Sequence, residues 1–385
     1  MNWKKQIVLA GLGMHAASAY CINGADMTGY GTASLAMGGT SIANPQDTLV
    51  GSSNPAGMAF LGNLIDIDAA LFAGNSSATY LLPSNAIRQS IMTVVPNFGV
   101  HYRFSPQWTF GISASAGGAG VNYDTAAFPI EDAPHAESSL GWARLVHSLT
   151  YQPVDNFALG VGLVLGYQRF ESNGSILPGP TGSPVLLPSH GLSQALGLGA
   201  SVGVMWKVSE LLSLGAQYQS KTHMGRLQGY KDDLLSSIDG HIDLPESFGI
   251  GVALHPLPKL TLAADWEQIR WGRSGGFATL FGWKNQNVFR AGASYDMTPS
   301  LTMRAGISHA SEVVPSDAVA RNVYTPGINT LALTVGAAYN WRGIGKLSFA
   351  YEYDPRKTLI GTGVSTGSSI SGHVQAFVVG YQRKF

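Results

Sequence analysis

From Leu64 onward, large apolar side chains alternate with small or polar ones. Leu212, Leu214, Ala216 and Tyr218 alternate with Ser213, Gly215, Gln217 and Gln219. Leu331, Leu333, Val335, Ala337, Tyr339 and Trp341 do the same with Ala332, Thr334, Gly336, Ala338 and Asn340. The pattern recurs at 157–167, 198–206, 260–266, 289–295, 301–307 and 347–353. A period of two predicts β-strands with one apolar face and one small or polar face. Short links at 104–107, 152–156, 207–211, 255–259, 296–300 and 341–346 alternate with longer segments at 81–89, 122–137, 171–191, 225–243, 272–286, 310–328 and 354–371. Six turns and seven loops in alternation predict fourteen antiparallel strands. Loops that are short on one side and long on the other mark an all-β transmembrane barrel rather than a soluble sandwich. Each strand has room for the ~9–11 residues of a tilted crossing.

The inward row carries a few charges: Asp265, Glu267, Arg290, Arg304 and Glu352. Buried charges need partners, so pairing between neighbouring strands is expected. The last strand puts Phe377, Val379, Tyr381 and Phe385 on one face, which resembles the terminal signal read by the outer-membrane assembly machinery.

The start of the chain has a different pattern. Lys4 and Lys5, an apolar stretch from Ile7 to Met14 and Ala17-Ser18-Ala19 read as a signal peptide over residues 1–19. The mature chain then begins at Tyr20 outside the cytoplasm. Gly29–Gly57 is rich in Gly, Ala and Ser, nearly uncharged and without a strand period. It reads as a hatch, residues 20–57, lying inside a barrel formed by residues 58–385. Asn54-Pro55-Ala56 closes it: Pro55 fixes φ and biases Asn54 toward extended geometry, and the Asn side chain can bond nearby backbone. This triplet is expected to anchor the hatch, and the segment from Tyr20 to about Thr28 to move.

Composition narrows the function. Charged residues are 12% of the chain, about half the roughly 25% of soluble domains. No apolar run after the leader is long enough for a spanning helix. With 23 basic and 23 acidic residues, nothing favours nucleic acid. The single Cys21 excludes an internal disulfide, and ten scattered histidines show no ligand spacing, so no metal or cofactor is expected. Gly363–Gly367 fits G-x-S-x-G but lies in a loop without the strand-turn-helix context of a nucleophile elbow. Glycines at 117, 118 and 120 weaken the third strand and favour a bend there. Ile176, Leu177, Leu186 and Leu187 form apolar clusters in the 171–191 loop, suited either to catching substrate or to packing on the barrel rim.

AMGGTSIANPQDTLVGSSNPAGMAFL (residues 36–61) resembles the plug of the FadL/TodX family of outer-membrane fatty acid and hydrocarbon transporters. Pro96-Asn97-Phe98-Gly99, Leu244-Pro245-Glu246-Ser247 and the stretch from Phe289 to Tyr295 match in order and spacing. The resemblance implies a Gram-negative outer-membrane channel, plugged by its hatch, that imports hydrophobic molecules passively. It implies a capture patch on the outer loops and a pocket or N-terminal gate involving Tyr20, Ile22, Arg169, Arg290 and Arg304. It also implies lateral exit beside the third strand at Gly117, Gly118 and Gly120. Strict alternation, however, puts Arg169 on the lipid face. Expected partners are the hydrophobic cargo, outer-membrane lipids with lipopolysaccharide, and the barrel assembly machinery, with the chain a monomer. A lipid-modifying enzyme and an adhesin or structural barrel are the competing classes.

Overall fold

The computed structural model describes residues 23–128, 130–178 and 184–385. Fourteen strands form the wall: β1 (Leu64–Tyr80), β2 (Leu82–Arg103), β3 (Trp108–Asn122), β4 (Glu137–Val154), β5 (Phe157–Asn173), β6 (Ser193–Lys207) and β7 (Leu212–Gln219), then β8 (Ser247–Leu257), β9 (Leu260–Ile269), β10 (Gln286–Asp296), β11 (Leu301–Ala310), β12 (Leu331–Trp341), β13 (Gly345–Ile360) and β14 (Ser369–Lys384). Each pairs antiparallel with the next, and β1 pairs with β14 from Leu64↔Lys384 to Thr79↔Ser369, which closes the barrel. Closure removes the open edges that a bilayer would not tolerate.

The alternation sorts the two faces as the sequence predicts. Ile65 and Ile67 are exposed while Asp66 and Asp68 are buried. Leu159, Val161, Leu163 and Leu165 point outward, with Gly160, Gly162, Val164 and Gly166 inside. Residues 81–89, expected as a loop, are strand instead. A single-residue turn at Leu81 (φ 60°) joins β1 to β2, and Ile87, Gln89 and Ile91 continue the buried row. The expected loop 354–371 likewise starts only after Ile360.

Residues 23–63 precede the wall and run through the lumen. They form one short helix, α1 (Thr32–Leu35), and two 3-10 turns, Thr48–Ser52 and Pro55–Phe60. At the outer end the long loops fold inward over the barrel. The loop between β9 and β10 contains α2 (Gly275–Phe281). Its Trp271, Phe277 and Trp283, with Trp142 of β4, are the centre of the largest apolar core.

Candidate functional site

A segment with so little regular structure must satisfy its backbone groups elsewhere. The wall supplies them. Asp66 accepts the N–H of Thr48 at 2.9 Å, and Asp68 that of Thr32 at 3.2 Å. Asp265 accepts the N–H groups of Ser41 at 2.7 Å and Ile42 at 3.0 Å. Glu352 accepts the Thr28 hydroxyl at 2.5 Å. In the other direction, Ser113 and Thr150 donate to the carbonyls of Thr48 (2.5 Å) and Pro55 (2.6 Å), and Arg103 donates to that of Ala59. Carboxylates of the wall therefore hold hatch donors, and wall hydroxyls and a guanidinium hold hatch carbonyls. In the hatch itself, burial pushes the Asp47 carboxyl well above its ordinary range, and Asp66 and Asp68 beside it add to the shift.

The Asn-Pro-Ala turn sits at the periplasmic end. Asn54 Oδ1 accepts the N–H of Ala56 at 3.1 Å, and Nδ2 donates to the carbonyls of Ile42 (2.7 Å) and Val204 (3.1 Å). The turn approaches β5 and β6 where only glycine fits. A Cβ on Gly203 would run into Asn54 Oδ1, and one on Gly160 into Ala56 N.

Higher in the lumen the character changes. Arg144 of β4 pairs with Asp26 at 3.1 Å, and Asp26 accepts the Tyr30 hydroxyl at 3.0 Å. Burial, then the adjacent Asp26, pushes the Tyr30 hydroxyl well above its usual range. Arg290 pairs with Glu267 at 2.8 Å across the same level. Above these pairs the first described hatch residues enter the aromatic core. Gly24 (φ 71°) lies against Trp271 and Trp283, whose ring centroids are 5.0 Å apart. Phe277 packs edge-on against Trp271 at 4.6 Å and tilted against Trp283 at 4.8 Å.

Beside this core the wall has an interruption. β2 and β3 pair only from Arg103↔Thr109 to Phe98↔Ala114. Beyond Ala114, β3 keeps β4 as its partner but no ladder to β2, among the described residues. The strands meet again where Gln89 Oε1 accepts the N–H of Asn122 at 2.7 Å. Within the interval, Gly118 donates its N–H to the carbonyl of Ala25 at 3.0 Å. Met27, Phe72, Ile91, Val95 and Ala116 line it with apolar surface.

Gly117, Gly118 and Gly120 all lie in this interval and are buried. Arg290 and Arg304 face the lumen; Arg304 donates to Gln46 Oε1 of the hatch at 3.0 Å. Arg169 falls on the outward row of β5, alternating with buried Gln168 and Phe170, and so lines no part of the lumen. Ile176 and Leu186 pair in a small hairpin, with Ile176 8% exposed and both packed on the outer core; Leu187 is half-buried. Tyr20 and Ile22 lie outside the described residues, as do residues 1–19, expected as a signal peptide, and the side chain of Leu177. Sequence reasoning missed Asp66, Asp68, Arg144 and Asp354, all buried. The alternation of Asp66 and Asp68 with Ile65 and Ile67 was the signal for the first two.

Residues 8–380 match the family model described as outer membrane protein transport protein (OMPP1/FadL/TodX). The chain belongs to this family. Members of the OMPP1/FadL/TodX family are outer-membrane transporters of hydrophobic compounds, and this chain is an outer-membrane β-barrel of that kind. Its fold is similar to that of the P. putida toluene transporter TodX, with TM-score 0.70 and 19% identity, covering 94% of this chain and 99% of that one. A Pseudomonas aeruginosa FadL homologue gives TM-score 0.71 at 15% identity, over 94% of this chain and 100% of that one. The Ralstonia pickettii toluene transporter TbuX gives 0.67 at 19%, over 93% and 99%. No curated protein matches in sequence.

Proposed function

We propose that this barrel takes up small or medium hydrophobic molecules, fatty acids or aliphatic and aromatic hydrocarbons, by diffusion, and releases them sideways between β2 and β3. The observation that carries the reading is the unpaired interval above Phe98↔Ala114. It adjoins the aromatic core on one side and apolar residues of β1 and β2 on the other. Below it, the lumen is filled by the hatch and crossed by buried ion pairs. An apolar solute passing straight down would have to displace those charges, whose separation is costly. A sideways step into lipid avoids that cost. For the exit to open, Ala25 must leave the edge of β3, so the hatch segment before Thr28 is the moving part and the Asn54 turn the fixed one. The Gly363–Ser365 turn has an architectural account instead of a catalytic one: Ser365 donates to the carbonyl of Asp317 at 2.7 Å and accepts from Ala320 N at 3.1 Å.

Uptake into liposomes of radiolabelled fatty acid, toluene and a sugar tests the proposal. Hydrophobic uptake without an energy source, and no sugar uptake, is expected. Sugar uptake alone would overturn it, and turnover of the vesicle lipid would favour an enzyme.

A further inference from the structure

The longer strands exceed what a bilayer requires. A tilted crossing takes ~9–11 residues, whereas β1 has 17, β2 has 22, and β13 and β14 have 16 each. Their outer parts therefore stand above the hydrocarbon. On these four adjoining strands the outward row changes character at a matching distance from the periplasmic end. Leu71 and Ala73 give way to Asn75 and Ser77 on β1, and Met92 gives way to Ser90 and Arg88 on β2. Phe377 gives way to His373 and Ser371 on β14, and Tyr353 to Arg356 and Thr358 on β13. The register sets these residues side by side: Thr358↔Ser371, Ser371↔Ser77 and Ser77↔Arg88 make one row.

β13 carries a bulge at this height. Asp354 pairs with Val374 and Lys357 with Gly372, so Pro355 and Arg356 together oppose His373. An extra residue in one strand re-aims the side chains around it. Here Arg356 is turned outward, where Nη2 bonds His373 Nδ1 at 2.8 Å and Nη1 donates to Ser371 at 3.3 Å. Lys357 falls on the other face and pairs with Glu312 at 2.7 Å. Among the described residues, the outward rows of these four strands hold no Asp or Glu. Beside the band stand the carboxylates of Glu312, held by Lys357, and of Asp124, which accepts the backbone N–H of Arg88 at 3.2 Å. Arg88 and Arg356 are both exposed.

We propose that this band is a docking site for the phosphates of a phosphorylated disaccharide lipid in the outer leaflet. Guanidinium groups bind phosphate bidentately, and the intervening Ser, Thr and Asn side chains suit sugar hydroxyls. Three steps of ~4.8 Å between strands put the two arginine columns roughly 14 Å apart. That separation suits a head phosphorylated at both ends. The apolar row beneath, from Met92 to Phe377, meets the acyl chains.

The test uses the full mature chain in phosphatidylcholine nanodiscs doped with lipid A or with enzymatically dephosphorylated lipid A. After extraction into mild detergent, native mass spectrometry counts the retained lipid. The wild-type protein should retain the phosphorylated form about tenfold over the dephosphorylated one. The double variant Arg88→Gln/Arg356→Gln should lose that preference, and Arg342→Gln, on the periplasmic turn, should keep it. Should the double variant fail heat-modifiable mobility, Arg88→Gln alone should lower the ratio partway. Equal retention of the two lipids by the wild type, or an undiminished preference in the arginine variants, overturns the proposal.

Discussion

Gly118 donates its backbone N–H to the carbonyl of Ala25 at 3.0 Å, so the edge of β3 that β2 leaves bare is bonded to the hatch. Any displacement of the hatch from the strand edge at this point would break that hydrogen bond.

Removing that donor should loosen the hatch without harming the wall. Gly118 faces away from β4 through its N–H, so proline there costs no ladder bond, as at other edge positions. Gly118→Pro should assemble normally by heat-modifiable mobility and weaken docking of the hatch tip by about 1 kcal/mol. Ion conductance in planar bilayers should rise. Conductance equal to wild type would mean that the Ala25 contact does not restrain the plug.

The Asn54 turn should behave as the firmer attachment. Asn54→Ala removes three hydrogen bonds around a fully buried side chain, and about 1–3 kcal/mol of docking should go with them. Gly203→Ala reaches the same turn from the wall, since its new Cβ would meet Asn54 Oδ1. Both variants should expose residues 44–60 to limited proteolysis from the periplasmic side. Protection as in the wild type would shift the anchor to the carboxylate contacts.

These contacts also mark where sequence reading stops. The inward position of Asp66 is legible, because Ile65 and Ile67 flank it at period two. Its partner, the N–H of Thr48, is not, because a hatch without a period has no register to read. The overlong β1 and β2 have a different cause. Above the hydrocarbon the outward row turns polar at Asn75 and Ser77, so the contrast between faces fades although the strand continues. The glycines of β3 are legible as a place without side chains, yet the register with β4 runs through them without a bulge. The loss of pairing with β2 depends on where β2 runs, which no local pattern encodes.

Asp47 gives the hatch a pH dependence. Burial, then Asp66 and Asp68, raise its pKa well above 3.8, with Lys346 opposing. The docked form therefore binds its proton more tightly than the undocked form does. Docking stability should be greatest below pH 3.8 and should fall as pH rises through the raised value, levelling off above it. Asp47→Asn keeps a side-chain acceptor for Leu49 N, which Asp47 now caps at 3.0 Å. It should flatten this profile and stabilise docking at neutral pH. Protease protection of the hatch measured from pH 4 to 8 would show it; a wild-type profile that rises with pH would reverse the sign and sink the prediction.

Gly24 offers the sharpest separation of gate from wall. Its φ of 71° disfavours any side chain, and a Cβ would stand 2.9 Å from Trp283 and 3.0 Å from Trp271, both rings buried and packed edge to face. Gly24→Val must therefore pull the hatch tip out of the aromatic core and break the Ala25–Gly118 bond next to it. The barrel ladders are untouched, so thermal unfolding of the wall should stay within about 0.5 kcal/mol of wild type. Uptake of a hydrophobic probe into liposomes should become faster, because the interval beside β3 would no longer be plugged. Slower uptake with an intact barrel would mean that Gly24 helps to receive cargo instead of blocking it, and the order of events at the hatch would have to be rewritten.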